Sequence, residues 1–373
     1  MRNRLMLHVV GARPNFMKVA PVMRAMNERQ GIRQLLVHTG QHYDRNMSDV
    51  FFDQLEIPEP DLNLEVGSAT HAQQTAEIMR RFEPVVDERK PDLVFVYGDV
   101  NSTAAATLVC AKLGVPVAHV EAGLRSFDRT MPEEINRLVT DQLATLLLTP
   151  SQDADENLER EGIAPERVYL VGNVMIDTLV RFLPVAEGAI AASSRRGWVG
   201  RPYVLVTLHR PSNVDDPASL RQLCQALGAI ARDVPVLFPV HPRTQARIRE
   251  TAGPLGGVEV CDPLGYFEFL ALQRHATAVI TDSGGIQEET TYLGVPCLTM
   301  RENTERPVTV TMGTNILIGR DTNRLQSEVK KILSGEAKRG RVPELWDGHA
   351  SERIAGVVCG AAQEVTADQT RSI

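Results

Sequence analysis

A chain of 373 residues that is 43% hydrophobic and 23% charged has the composition of an ordinary globular protein long enough for two cores. With a net charge of −7 and no long run of Lys or Arg it offers no track for nucleic acid, so any anionic ligand has to be held by local geometry. The five cysteines (Cys110, Cys224, Cys261, Cys297, Cys359) are far apart with no CxxC pair, which fits a reduced cytoplasmic setting and argues against disulfides or metal, and no apolar run approaches a membrane span or a cleavable signal.

In chain order, short apolar runs at 5–10, 35–38, 93–97, 117–120, 146–149 and 168–170 alternate with amphipathic helical stretches. That rhythm predicts a parallel sheet covered on both faces. The segment 186–201, rich in Ala, Gly, Ser and Arg, reads as a break, after which strands at 204–207, 236–240, 258–260, 278–281 and 297–300 begin a second series. The reading is α/β with two doubly wound, Rossmann-like domains, 1–172 and 173–350. A last helix-like segment in 351–373 is placed to pack back on the first domain. Ligands of such folds sit at the carboxyl ends of the strands, where the polar residues of this chain gather.

After the first strand, Gly11-Ala12-Arg13-Pro14 sets Arg13 and Lys18 at a strand-to-helix turn, where they suit a diphosphate or a sugar oxygen, or equally a solvated first turn. No GxGxxG occurs, so a bound dinucleotide has no support, and no cofactor or metal is implied. Acidic residues then arrive at successive strand ends: Asp99 after 93–97, Glu121 after 117–120, and Glu133 with Glu134 behind Pro132, four residues before Arg137. Each has a bland reading as a cap or dipole partner, but three carboxylates converging on one sheet edge can divide acid and base roles.

In the second domain His209, followed by Arg210-Pro211, ends an apolar strand and suits a diphosphate contact or a proton transfer, and His241 ends the next strand. The stretch Thr281-Asp282-Ser283-Gly284-Gly285 leads from a strand into a helix. Its glycines let the backbone approach an anion, and the first helical N–H groups lack partners. Glu289, one turn further in, is placed for ribose hydroxyls, and Arg306 follows in Glu305-Arg306-Pro307.

These stretches resemble the non-hydrolysing, bacterial type of the UDP-N-acetylglucosamine 2-epimerase family across nearly the whole chain. The matches are GARPNFMK, GDVNST, HVEAGLR, PEEINR, Gly172-Asn173, His209-Arg210, His241, TDSGGIQEE and ERP, in order. The resemblance implies a GT-B fold that closes over a nucleotide sugar in an interdomain cleft, usually as a cytoplasmic homodimer. It also implies interconversion of UDP-GlcNAc and UDP-ManNAc for surface polysaccharide, by elimination of UDP to a 2-acetamidoglucal and re-addition. By motif, Arg13, His209, Ser283, Gly284, Gly285 and Arg306 would hold the diphosphate region and Glu289 the ribose. Asp99, Glu121 and Glu133 would be acid and base, supported by Lys18 and Arg137, with His209 among the catalytic set. His241 and Phe269 would line the substrate site.

Leu264 stands where the family often has a glutamine near the uracil, although Phe269 keeps an aromatic position. Gln41-His42-Tyr43 replaces the Gln-His-Arg of relatives activated by a second UDP-GlcNAc, and 66–75 holds no arginine, so weak or absent activation is expected. The rival readings are a UDP-glucose 2-epimerase, a hydrolysing epimerase that releases ManNAc and UDP, a GT-B glycosyltransferase, and a non-catalytic UDP-sugar sensor. Accumulating free UDP would mark the hydrolysing enzyme, and need for an acceptor without C2 proton exchange the transferase. A sensor would not need three carboxylates.

Overall fold

The structure, a computed structural model, describes residues 3–41, 55–252 and 255–369. The chain divides into two compact units, Met1–Thr178 with Glu344–Ile373, and Leu179–Pro343.

The first unit is built on strands β1 (Arg4–Val10), β2 (Ile32–His38), β3 (Leu62–Asn63), β4 (Leu93–Tyr97), β5 (Val117–Val120), β6 (Leu146–Thr149) and β7 (Val168–Leu170). They form one sheet in the order β3-β2-β1-β4-β5-β6-β7, every pair parallel. The connecting helices are α1 (Arg13–Asn27), α2 (His71–Arg89), α3 (Asn101–Leu113), α4 (Pro132–Leu143) and α5 (Gln152–Arg160), followed by α6 (Val174–Ala192). Continuously apolar strands such as Leu93–Tyr97 are buried along their whole length because helices cover both faces. On one face the alternate residues Leu7, Val9, Val94 and Val96 pack against Phe82 and Val86 of α2 and Val109 and Cys110 of α3. Truncating such a side chain costs about 2–5 kcal/mol.

The second unit repeats the plan with β8 (Val204–Thr207), β9 (Val236–Pro239), β10 (Val258–Cys261), β11 (Ala278–Thr281), β12 (Cys297–Thr299) and β13 (Asn315–Leu317). The order is β10-β9-β8-β11-β12-β13, again all parallel. Its helices are α7 (Pro211–Val214), α8 (Pro217–Ile230), α9 (Pro242–Ala252), α10 (Tyr266–His275), α11 (Gly284–Leu293), α12 (Pro307–Thr311) and α13 (Thr322–Leu333). Val204, Val206 and Ile280 meet α8 and α13 on one face, while Leu205 and Val279 meet α6 and α10 on the other.

Two features differ from the sequence reading. Residues 186–192, read as part of a break, continue α6, which begins in the first unit and ends in the second. Ala186 and Ile190 are buried in the core of the second unit, so the small residues that resemble a linker are there for close packing. The strands β3 and β13, only two and three residues long, add an edge to each sheet beyond the runs read as strands. The last helix, α14 (Ala350–Gln369), packs on α1 within the first unit. Its N-terminus is capped by the Asp177 carboxylate, which accepts the N–H groups of Ala350 (3.0 Å) and Ser351 (2.7 Å).

In each sheet the order reverses once, at β1/β4 and at β8/β11. Ligands of doubly wound folds bind beyond the strand ends at such a switch point.

Candidate active site

At the β1/β4 switch point the turn after β1 is held by Asn15. Its side-chain oxygen accepts the N–H groups of Gly11 (3.0 Å) and Ala12 (3.2 Å), and its amide donates to the Tyr97 carbonyl at the end of β4 (2.8 Å). Arg13 opens α1, and its side chain lies outside what the structure describes. Lys18, one turn further, is buried and places Nζ 2.7 Å from Oε2 of Glu121. It passes directly over Gly98, where an added Cβ would stand 2.6 Å from Nζ and where φ is +61°. A side chain there would be strained and would push against the ammonium. Glu121 itself has φ +74°, a left-handed conformation that costs a non-glycine residue roughly 1–2 kcal/mol and persists only when its surroundings fix it.

Asp99 follows Gly98 and accepts a 2.6 Å bond from Nη1 of Arg137. Arg137 rises from α4, whose first turn, opened by Pro132, carries the two glutamates. The structure separates them. Glu134 is buried and saturated, accepting from the Ser126 N–H (3.0 Å), the Ser126 hydroxyl (2.9 Å) and the Phe127 N–H (2.9 Å), so it braces a loop. Glu133 is half-buried and makes no hydrogen bond or ion pair with any described residue, which leaves its carboxylate available. Residues 133, 137 and 141 share one stripe of α4. Asp141 is fully buried and accepts from His119 (2.6 Å), the Gly123 N–H (3.1 Å) and Arg125 (2.7 Å). Burial alone would raise its carboxyl, but His119 and Arg125 outweigh that and hold it below the ordinary range.

At the β8/β11 switch point the hub is Asp282, buried directly after β11. It accepts the N–H groups of His209 (3.1 Å) and Arg210 (2.9 Å), the Asn213 amide (2.9 Å) and Nδ1 of His209 (2.9 Å). Burial pushes this carboxyl up, and the bonds from His209 foremost bring it below its usual value. The His209 side chain stays 66% exposed, free to meet a ligand on its other side. Ser283 then caps α11 with its backbone, and Gly284 and Gly285 form the first turn. A Cβ on Gly284 would stand 2.4 Å from Nη1 of Arg306, so the guanidinium lies against the helix N-terminus. Arg306 is held there by Glu288 (Nε to Oε1, 2.9 Å) and by Glu305, which also pairs with Arg301 at 2.6 Å. Unpaired helical N–H groups beside a fixed guanidinium make an anion site.

Glu289, one turn into α11, is buried against Gln273 (3.1 Å) and Tyr266 (3.4 Å) of α10. Burial foremost, with the neighbouring Glu288 charge, pushes its carboxyl up to about 7. Phe269, also on α10, packs against the core beneath. His241 stands exposed at the end of β9, one strand outside β8. Thus Lys18 meets Glu121 and Arg137 meets Asp99 in the first unit, and Arg306 meets Gly284 in the second. His42 and Tyr43 lie outside the described residues.

The organising residues His119, Asp141, Asp282 and Glu305 escaped the sequence reading as site residues. His119, Asp282 and Glu305 sit inside recognised motifs, and a polar residue between functional neighbours was their only signal. Among the described residues no group of three or more His, Cys, Asp or Glu could hold a metal ion, and no helix is long and apolar enough to cross a membrane.

A family model described as UDP-N-acetylglucosamine 2-epimerase matches residues 24–359. The UDP-N-acetylglucosamine 2-epimerase of Methanocaldococcus jannaschii is 40% identical over 94% of this chain and 97% of that protein. The UDP-2,3-diacetamido-2,3-dideoxy-D-glucuronate 2-epimerase of Pseudomonas aeruginosa is 43% identical over 94% of this chain and 98% of its own length. The crystal structure of the Methanocaldococcus jannaschii enzyme in complex with UDP-GlcNAc and UDP has a TM-score of 0.85 at 39% identity, covering 95% of this chain and 99% of that one.

Proposed function

The chain belongs to the UDP-N-acetylglucosamine 2-epimerase family, and we propose from that premise that it interconverts UDP-GlcNAc and UDP-ManNAc, with the two switch points dividing the work. The loops of the first unit act on the sugar, and those of the second hold the UDP. The observation that carries this division is the contrast between carboxylates set against cations at β1/β4 and a glycine-opened helix beside Arg306 at β8/β11.

The C2 proton is not α to a carbonyl, so its removal to a free carbanion is too costly, and its removal coupled to loss of UDP across C1 and C2 is the accessible route. A carboxylate takes the C2 proton, the electron pair forms the C1–C2 double bond, and the C1–O bond breaks with its pair leaving on UDP. Re-addition delivers a proton to the opposite face of C2 as the UDP oxygen rebonds to C1, so nothing is gained or lost. We assign the acid and base roles to Asp99, which is partly exposed beside Arg137, and to Glu133, which has no hydrogen bond or ion pair among the described residues. Glu121 is nearly closed off by Lys18 and fixes that ammonium over Gly98. The N-terminus of α11, Arg306 and His209 stabilise the diphosphate as negative charge grows on it. Glu289 receives the ribose hydroxyls.

The Pseudomonas aeruginosa relative favours a second substrate. Its named substrate is also a 2-acetamido sugar on UDP, so the same elimination serves it. A cytoplasmic homodimer that supplies surface polysaccharide belongs to the proposal on the strength of the resemblance. Proton NMR in D₂O tests the reading. Deuterium entering C2 of UDP-GlcNAc as a UDP-ManNAc anomeric signal grows is the expected result. No exchange with UDP-GlcNAc, together with exchange into the diacetamido-glucuronate, would move the chain to the second substrate, and exchange with neither would overturn the epimerase.

A further inference from the structure

The loops that carry Asp99 and Glu121 are joined by a residue that touches neither carboxylate. His119, on β5 and wholly buried, points Nδ1 at Oδ1 of Asp141 (2.6 Å) and Nε2 at the carbonyl of Gly98 (2.8 Å). We propose that His119 is a positioning residue that donates from both ring nitrogens, as an imidazolium, and so locks the Asp99 loop to the Glu121 loop and to α4; the consequence for catalysis rests on the epimerase reading above.

The argument is one of donors and acceptors. A backbone carbonyl only accepts, so the nitrogen facing Gly98 must carry a proton. The nitrogen facing Asp141 meets a carboxylate that already takes an N–H from Gly123 and one from Arg125, and ionised carboxylates only accept. A neutral ring would set a lone pair against one of these oxygens at a wholly buried position, where an unsatisfied polar group costs about 1–3 kcal/mol. The charges also balance: His119 and Arg125 face Asp141 and Glu161, the latter paired with Arg125 at 2.7 Å.

Each bond fixes something the reaction uses. The bond to Gly98 sets the peptide that leads into Asp99, whose carboxylate is gripped from the other side by Arg137, one turn before Asp141 on α4. Asp141 in turn holds the Gly123 N–H in the loop that keeps Glu121 at its left-handed φ. Losing His119 would loosen both loops together, and a misplacement of about 1 Å at reacting groups can cost roughly 100-fold in rate.

The test uses the full chain labelled with ¹⁵N-histidine. A long-range ¹H–¹⁵N correlation at neutral pH is expected to give His119, assigned by the signal that H119Q or D141N removes or moves, two protonated ring nitrogens. A single unprotonated nitrogen would overturn the imidazolium. In H119Q, kcat for C2 exchange should fall about 100-fold while UDP affinity is unchanged. An unchanged kcat, or a matching loss of UDP affinity, would overturn the positioning role. If H119Q does not fold, D141N carries the same kinetic expectation. The ring signal is independent of turnover, so absence of exchange in the unaltered enzyme would sink the epimerase reading while leaving the protonation answered.

Discussion

The two units share one strand order and yet build opposite kinds of site at the same place in it. At β1/β4 the groups are side chains in ion pairs, Lys18 with Glu121 and Arg137 with Asp99. At β8/β11 the buried acid Asp282 binds mainly backbone and amide N–H groups, and the ligand-facing elements are a helix N-terminus, the Arg306 guanidinium and the exposed side of His209. The first arrangement suits moving protons and the second suits holding a fixed anion. Fold therefore sets where a site lies, and the loop residues set what it does.

The comparison is broken most decisively at the first unit. D99N and E133Q should each lower C2 exchange roughly 100- to 10,000-fold, measured by NMR in D₂O, and normal exchange in both would remove the acid and base assignment. Next in size is K18M, which takes from the buried Glu121 carboxylate the ammonium at 2.7 Å and should cost about 1–3 kcal/mol in urea unfolding; a loss well under about 1 kcal/mol would mean that the pair is solvated.

Glu289 sharpens the contrast, because among the described residues no cation stands against it. Its folded value of about 7 lies above the ordinary 4.5, so it favours folding while protonated and the benefit is lost as pH rises through that interval. E289Q should therefore gain stability over the parent, increasingly from about pH 5 to pH 8, reaching on the order of 3 kcal/mol, while binding UDP more weakly. An identical pH dependence in the two proteins would contradict this. The smallest effect is expected from G284A, whose methyl group pushes against Arg306 and should weaken UDP roughly tenfold in calorimetry without altering C2 chemistry once the enzyme is saturated.

Much of this frame is legible in the residues. Runs such as 93–97, 117–120, 204–207 and 278–281 match the observed strands because apolar, largely β-branched residues between turn signals have few other uses. The glycines at 98 and 284 mark close approaches for the same local reason. Pairings were not legible. Asp141 lies on a helix 22 residues from His119, and Asp282 stands 73 residues from His209, so no local pattern links them. Glu133 and Glu134 are neighbours of the same type, and only the phase of α4 turns one inward to brace a loop and leaves the other available.

The central claim is that the carboxylates of the first unit do chemistry while the second unit holds UDP. Titrating UDP calorimetrically into the D99N/E133Q double variant tests it most directly. The account predicts an affinity equal to that of the parent, and a loss of roughly tenfold or more would place these carboxylates in the nucleotide site and contradict it.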